Sequence, residues 1–394
     1  MNVTYPFDTP AGSDTEPEGV RLLEEEGPIV RALMNGHEAW LALGYDAVRQ
    51  VVSDPRFSRA AAARPGGPLR NPASANPEFL SSMDPPKHTR VRRLMAKAFS
   101  RGTVEGLEPW MRNLVDGLLD ELAAQAKPAD LVALLAEPLP IMVICQLLGV
   151  PIGDRAQIRH WAGKLVADTA YTPAEIVETM GQVNAYLDEL IAMKRQVPDD
   201  ALISALIRVN DDGDYLTESE LASNLQLLLI AGHETTVSQI GNCVVTLFQH
   251  PQQAKLLAER PELLPQGVDE LLRYSRLLSA ILPRVATQDI QLGETMIREG
   301  EAVVPLITVA NRDPDAFPEP HRFDVTRTGP APHVAFGHGP HYCLGVALAH
   351  LELQIALGSL LDRFPTLAPA VELASLPWKA GLAIRSLSAL PVTW

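Results

Sequence analysis

Apolar residues recur along most of this chain at steps of three and four, the spacing of one helix face, and alternate with polar residues in only a few short runs. That spacing predicts helices over residues 18–26, 46–53, 86–99, 103–125, 139–148, 156–170, 173–194, 217–249, 264–275 and 344–361. Pro86 stands at a first helical position, where its missing N–H is no loss. Thr217-Glu218-Ser219-Glu220 has capping-box spacing and opens the longest helix, which must stop before Pro251. Residues 37–43 read as a strand, 283–305 contain short β-like runs, and 380–394 read as strands and turns. Two stretches follow neither period: residues 55–85, rich in Pro, Gly, Ala and Ser, and the proline-rich meander 311–339. A long loop in an otherwise compact chain is often functional. The pattern therefore predicts a mainly α fold with small β-sheets, of the α+β class.

Composition narrows this picture. At 394 residues and 46% hydrophobic content the chain can bury a large core. It shows no long linker, low-complexity block or repeat, so residues 1–394 are expected to form a single domain. A net charge of -15 argues against general nucleic-acid binding. No segment reads as a signal peptide or membrane span, and three cysteines are too few for a disulfide framework, so a cytoplasmic protein is expected. Cys145 and Cys243 lie in apolar runs and read as core thiols.

Cys343 is different. It ends the loop Phe336-Gly337-His338-Gly339-Pro340-His341-Tyr342-Cys343 and precedes Gly345 and an apolar helix. A thiol at a helix start is biased toward thiolate, which is a nucleophile or a metal ligand. The glycines leave room for something large and flat against the backbone. Two metal readings compete. Zinc could use Cys343 with His338 and His341, with His333 and His350 close in sequence. Alternatively, haem iron could be held by one axial thiolate. Zinc usually takes two cysteines at fixed spacing, and it explains neither Phe336 nor the glycines.

Three further patterns carry polar groups. Ala231-Gly232-His233-Glu234-Thr235-Thr236 puts an acid and a hydroxyl inside an apolar helix, which makes either a small polar niche or a glycine-kinked core helix with Glu234 reaching solvent. Glu270 and Arg273 are three apart and can pair. His88 and Arg92 share one face of the 86–99 helix, and Arg90, Arg93 and Lys97 form a basic stripe, which is either a solvated face or a docking surface.

Taken together and in this order, these motifs resemble the cytochrome P450 family over nearly the whole chain. The cysteine loop fits Phe-x-x-Gly-x-x-x-Cys-x-Gly at Phe336, Gly339, Cys343 and Gly345. Ala231 to Thr236 resembles the oxygen-binding motif, and Glu270 to Arg273 the Glu-x-x-Arg motif. Pro320-His321-Arg322-Phe323 resembles the segment whose arginine joins that pair.

The resemblance implies a single P450 fold with haem b between the long oxygen-motif helix and the cysteine-loop helix. It makes Cys343 the axial iron ligand, shielded by Phe336, with Gly339, Gly345 and Ala231 close to the porphyrin. His88, Arg92, Arg284 and His341 become propionate partners. Thr235 would donate to bound O2, Glu234 would feed protons, and Gly232 would widen the helix groove. Glu270, Arg273 and Arg322 would lock the meander. The implied activity is monooxygenation. Lacking a flavin or nicotinamide fingerprint, the chain would take electrons from a ferredoxin and ferredoxin reductase, docked on Arg90, Arg93 and Lys97. Residues 278–282, Ala231 and 381–383 are mostly small or aliphatic. They suit a bulky apolar substrate, a macrolide or other polyketide in an actinobacterial tailoring enzyme, with a terpenoid or steroid as the alternative. Oxidative coupling, peroxide-driven oxidation and a non-catalytic haem sensor are the rival functions.

Overall fold

The longest predicted helix becomes the axis of the molecule. The computed structural model describes residues 3–34, 36–64, 66–68, 76–99, 101–165, 170–209, 213–329 and 331–394. Its framing helices are α1 (Pro17–Glu25), α2 (Tyr45–Ser53), α3 (Lys87–Ala98), α4 (Glu108–Ala123), α5 (Pro138–Leu148), α6 (Arg155–Leu165), α7 (Pro173–Gln196), α8 (Glu218–Gln249), α9 (Leu264–Tyr274) and α10 (Val346–Arg363). Helix α8 begins with the expected box: the Glu220 N–H donates to Thr217 Oγ1 at 3.2 Å, and the Thr217 N–H to Glu220 Oε2 at 3.0 Å. From Thr236 to Leu247 every residue of α8 is buried, because α5, α6, α7, α9 and α10 pack around it. Its polar residues there are satisfied: Gln239 donates to Ser275 Oγ at 2.7 Å and Asn242 to the Arg385 carbonyl at 3.0 Å.

A sheet flanks the helices in the order β1 (Val3–Tyr5), β2 (Ile29–Met34), β3 (His37–Ala42), β6 (Ala302–Pro305), β5 (Arg284–Ala286), β4 (Phe57–Ser58). Strands β3 and β6 run parallel with Trp40 beside Val303, and β5 runs antiparallel to β6 with Arg284 beside Val303. This register carries Arg284 to the inner end of the sheet, where it is buried. Cys145 and Cys243 are fully buried, and burial pushes their thiols up to about 11 and about 12.

Several predicted boundaries move. The 103–125 helix divides at Gly106 and Leu107 into Arg101–Glu105 and α4, because Pro109 sits in the first turn of a new helix. Pro251 ends α8 but also starts the helix Pro251–Glu259, which periodicity alone did not separate. The 156–170 helix is α6 up to Leu165, and residues 166–169 lie outside the described part. Strand β2 and the helix Leu202–Arg208 were not anticipated.

The meander is fastened by one buried carboxylate. Glu270 and Arg273 pair through two bonds of 2.7 and 2.8 Å, with both side chains nearly inaccessible. Arg273 also donates to the Asn311 and Pro320 carbonyls at 2.8 and 2.9 Å. The third member is not Arg322, as the motif suggested, but Arg327, whose Nε lies 3.0 Å from Glu270 Oε1. The Arg322 side chain is 59% exposed and pairs with Glu319 and Asp324. Its backbone carbonyl is what joins the lock, accepting from Arg327 at 2.7 Å. Phe323 beside it turns inward and is buried against Tyr274, which leaves Arg322 facing out.

Truncating one partner of a buried, hydrogen-bonded charge group costs about 3–5 kcal/mol, whereas an exposed pair is worth about 0–1 kcal/mol. Arg327→Ala should therefore lower unfolding stability in denaturant far more than Arg322→Ala. Equal losses for the two variants would restore Arg322 to the lock.

Candidate active site

The cysteine loop is shaped by its own backbone and by α2. The Cys343 N–H donates to the Phe336 carbonyl at 3.0 Å, and the Tyr342 N–H to the Gly339 carbonyl at 3.0 Å. Gly339 has φ +70, and a Cβ there would lie 2.9 Å from the backbone Cα of Ser53 on α2. Glycine is thus required both by conformation and by close approach. Cys343 lies deep in the protein yet keeps accessible surface, the mark of a side chain lining an internal space. Burial raises its thiol above the ordinary value, outweighing the Gly345 N–H aimed at the sulfur and the charge of Arg92. The expected bias toward thiolate at the helix start is therefore reversed in the protein alone. A metal ion on the sulfur supplies the missing stabilisation.

Zinc is not that metal. The His341 ring packs against His88, tilted by 45° with centroids 4.2 Å apart, and His338 Nε2 lies 3.4 Å from Arg49 Nη2. Among the described residues, Cys343 joins no cluster of histidine, cysteine or carboxylate ligand atoms. A single axial thiolate remains.

Beside the sulfur the structure collects positive charge. His88, Arg284 and His341 come together, joined by Arg59 from the Pro/Ala-rich stretch. Arg59 is 1% exposed; it donates to the Ser81 carbonyl at 2.9 Å and to the Pro283 carbonyl, and its Nη2 has no partner. His88 Nε2 is also buried without a partner. Burial and then Arg92 hold His88 down to about 4, and burial and then Arg284 hold His341 down to about 2. Arg284 is pushed well below its ordinary range by burial and by Arg59. Asp84 is the acid facing this group, and it is already occupied by the Arg59 N–H at 2.8 Å and the Ser58 hydroxyl. Interiors do not collect unpaired cations without a counter-charge. The cluster fits a group bearing two carboxylates, and the open cysteine loop fits its flat body. Arg92 sits at the rim, with Nη2 donating to the Tyr342 carbonyl at 2.6 Å. Arg59 escaped sequence reading, although an arginine followed by four alanine-rich positions with no nearby acid was a signal.

On α8, Ala231 is exposed although the helix around it is largely buried, and Gly232 and Thr235 are half-buried. The Thr235 hydroxyl donates to the Ala231 carbonyl at 2.6 Å. Glu234 does not reach solvent. It is buried, with Oε1 3.5 Å from Lys379 Nζ and Oε2 3.8 Å from His233 Nδ1. Lys379, on the C-terminal hairpin, was not anticipated; no local spacing links it to Glu234. Gly232 packs against α5. A Cβ there would come within 3.0 Å of Ile144 Cδ1, so the glycine makes room for α5.

The predicted wall segments are neighbours: the Arg385 N–H donates to the Leu277 carbonyl at 2.9 Å, and Leu278 bridges to Ile384. Residues 278–282 are half-buried, and Ala231 and Ala383 are exposed. The basic stripe, by contrast, is already engaged. Arg90 donates to the buried Glu220 and to the Tyr215 carbonyl, and Arg93 pairs with Asp214 at 2.9 Å. Lys97 continues the stripe one turn on. Arg90 and Arg93 are therefore compensated by these acids, although the Arg93–Asp214 pair stays about half exposed.

Comparison with known proteins gives consistent results. A family model described as "Cytochrome P450" matches residues 16–385. The chain is 44% identical to Nocardicin C N-oxygenase of Nocardia uniformis subsp. tsuyamanensis, over 99% of this chain and 98% of that protein. It is 41% identical to Mycinamicin IV hydroxylase/epoxidase of Micromonospora griseorubida, over 94% of each. The crystal structure of cytochrome P450mel 107F1 with biaryl coupling reactivity superposes with a TM-score of 0.94, at 36% identity and full coverage of both chains. Among the described residues no helix is long and apolar enough to cross a membrane.

The cationic cluster makes the cofactor-free protein acid-sensitive. His88 falls from 6.5 in the unfolded chain to about 4 when folded. Between those values the unfolded chain binds the proton and the folded chain does not, so stability is lost as pH falls through that window. In haem-free protein the urea midpoint should drop between about pH 7 and about pH 5, and less steeply in His88→Gln. Parallel slopes would mean that His88 stays hydrated and titrates normally.

Proposed function

The chain belongs to the cytochrome P450 family, a haem-thiolate monooxygenase family, and on that premise we propose that it oxygenates a bulky, mostly apolar natural product of the macrolide or polyketide type. The carrying observation is the step of α8 where Ala231 is exposed and Gly232 and Thr235 are half-buried around the buried acid Glu234. When bound, haem supplies O2 activation and transfer of one oxygen atom to substrate. The two relatives named for oxygenation of nocardicin C and of mycinamicin IV support a natural-product substrate.

Each residue of the chain then has a role it can perform. Cys343 is the axial thiolate, and Phe336, with rings of His333, Tyr342 and His350 around it, covers the sulfur from water. Gly339, Gly345 and Ala231 permit close approach of a flat group. His88, Arg59, Arg284 and His341, with Arg92 at the rim, hold its two carboxylates through charge-assisted bonds. Glu234 and Lys379 form a proton path: Lys379 is partly exposed and Glu234 is buried, so the pair links solvent to the interior. The Thr235 hydroxyl must rotate away from the Ala231 carbonyl to donate to a ligand. Electrons come from a ferredoxin and its reductase, bound elsewhere than on the compensated Arg90–Arg93 pairs. The solved relative with biaryl coupling reactivity supports oxidative coupling as a second reading; the paired Glu234 and Thr235 favour oxygen insertion.

Two measurements test the proposal. The reduced carbon monoxide complex should show the strongly red-shifted Soret band of thiolate ligation, absent in Cys343→His; an unshifted wild-type band would remove Cys343 as ligand. Macrolides should shift the haem spin state in titration, and product formation should fall about 100-fold in Glu234→Gln while reductant is still consumed. Full product yield in that variant would exclude the Glu234 proton path.

A further inference from the structure

Two histidines flagged near the cysteine find a different partner. His333 precedes the cysteine loop, His350 lies on α10, and between them stands Asp269 of α9. His333 Nε2 and His350 Nε2 are each 3.6 Å from Asp269 Oδ1, and the three ligand atoms all lie within 4.8 Å of one another. We propose that Asp269, His333 and His350 form a second metal site, distinct from the haem, that takes a zinc-type divalent ion on the flank of the cysteine loop.

The donor set suits that ion. Two imidazoles and one carboxylate match the borderline preference of zinc, and metal–ligand bonds of about 2.0–2.1 Å in a tetrahedron place ligand atoms about 3.3 Å apart, close to the spacing found. The site is built on three separate segments that already meet. Glu270 locks α9 to the meander, and its neighbour Asp269 faces the opposite way and is 56% exposed, leaving a fourth position open to water. Phe336 packs against both imidazoles, with ring centroids 5.9 Å from His333 and 5.3 Å from His350, and so limits their rotation.

One contact sets the strength. The Ala335 N–H approaches His333 Nδ1 at 3.3 Å. Coordination through Nε2 moves the ring proton to Nδ1, so this weak bond is given up on binding. With three protein ligands and that bond given up, the site is weaker than a closed four-ligand structural zinc site. Binding would tie α9, the end of the meander and α10 together beside Phe336.

The test uses chelator-treated holoenzyme titrated with zinc chloride against a chromophoric zinc indicator, with thermal unfolding followed in parallel. One zinc per chain should bind, with a rise in the unfolding temperature. His350→Arg and Asp269→Asn should each weaken binding by at least about tenfold, as loss of a ligand requires. The reduced carbon monoxide spectrum of Asp269→Asn should match wild type, which reports an intact haem site. The exposed His160→Gln should bind as wild type does. No zinc uptake by wild type, or uptake unchanged in both ligand variants, would overturn the site.

Discussion

The centre of this molecule depends on one buried carboxylate. Glu270 accepts from Nε and Nη2 of Arg273 and from Nε of Arg327, and it also accepts the Asp324 N–H at 3.0 Å. The remaining guanidinium protons go to backbone carbonyls of the meander, at Asn311, Pro318, Glu319, Pro320 and Arg322. Turns within the meander satisfy only some of its carbonyls, and the two arginines donate to five. The net stabilisation from such a buried group is small against its desolvation, but its geometry admits one arrangement. That arrangement sets where the chain enters the cysteine loop.

Downstream of this anchor, the site is defined by charge that the protein alone does not balance. Four buried cationic or ionisable bases converge near His341, and their shifts all run in the direction that disfavours positive charge. The Cys343 thiol is shifted against ionisation. A dianionic macrocycle with a central cation reverses each of these: its carboxylates relieve the arginines and histidines, and its metal relieves the sulfur. The apoprotein is thus electrostatically incomplete in a way that specifies its cofactor. The distal helix carries the complementary feature, a buried acid tied to a half-exposed lysine, next to a hydroxyl parked on its own backbone.

The proximal flank divides the remaining polar residues by the same logic. Arg90 and Arg93 are spent on the acidic ends of the 213–220 segment, which aligns α3 with the start of α8. His333, His350 and Asp269 are not consumed in the anchor, although Asp269 adjoins it, and their free ligand atoms converge. Neighbouring residues on one helix therefore serve different ends: Glu270 inward for architecture, Asp269 outward for the proposed ion.

Much of this was legible in the sequence because it rests on local relations. Helical period, the Thr217–Glu220 box, the Glu270–Arg273 spacing and the cysteine loop each lie within a few residues, so physics at that range determined α8 and α9 and singled out Cys343, whose metal the family resemblance then named. The division of residues 103–125 and the restart at Pro251 were less legible, since proline both ends one helix and opens another. Only the tertiary structure decided which arginine completes the anchor, because Arg322 and Arg327 are alike in type and differ in which one the inward turn of Phe323 leaves facing out. It alone brought Arg59 to Arg284 and Lys379 to Glu234, contacts closed across long stretches of chain that no spacing encodes. It also turned the thiol preference of Cys343, since a helix start acts locally but burial is set by everything packed around it.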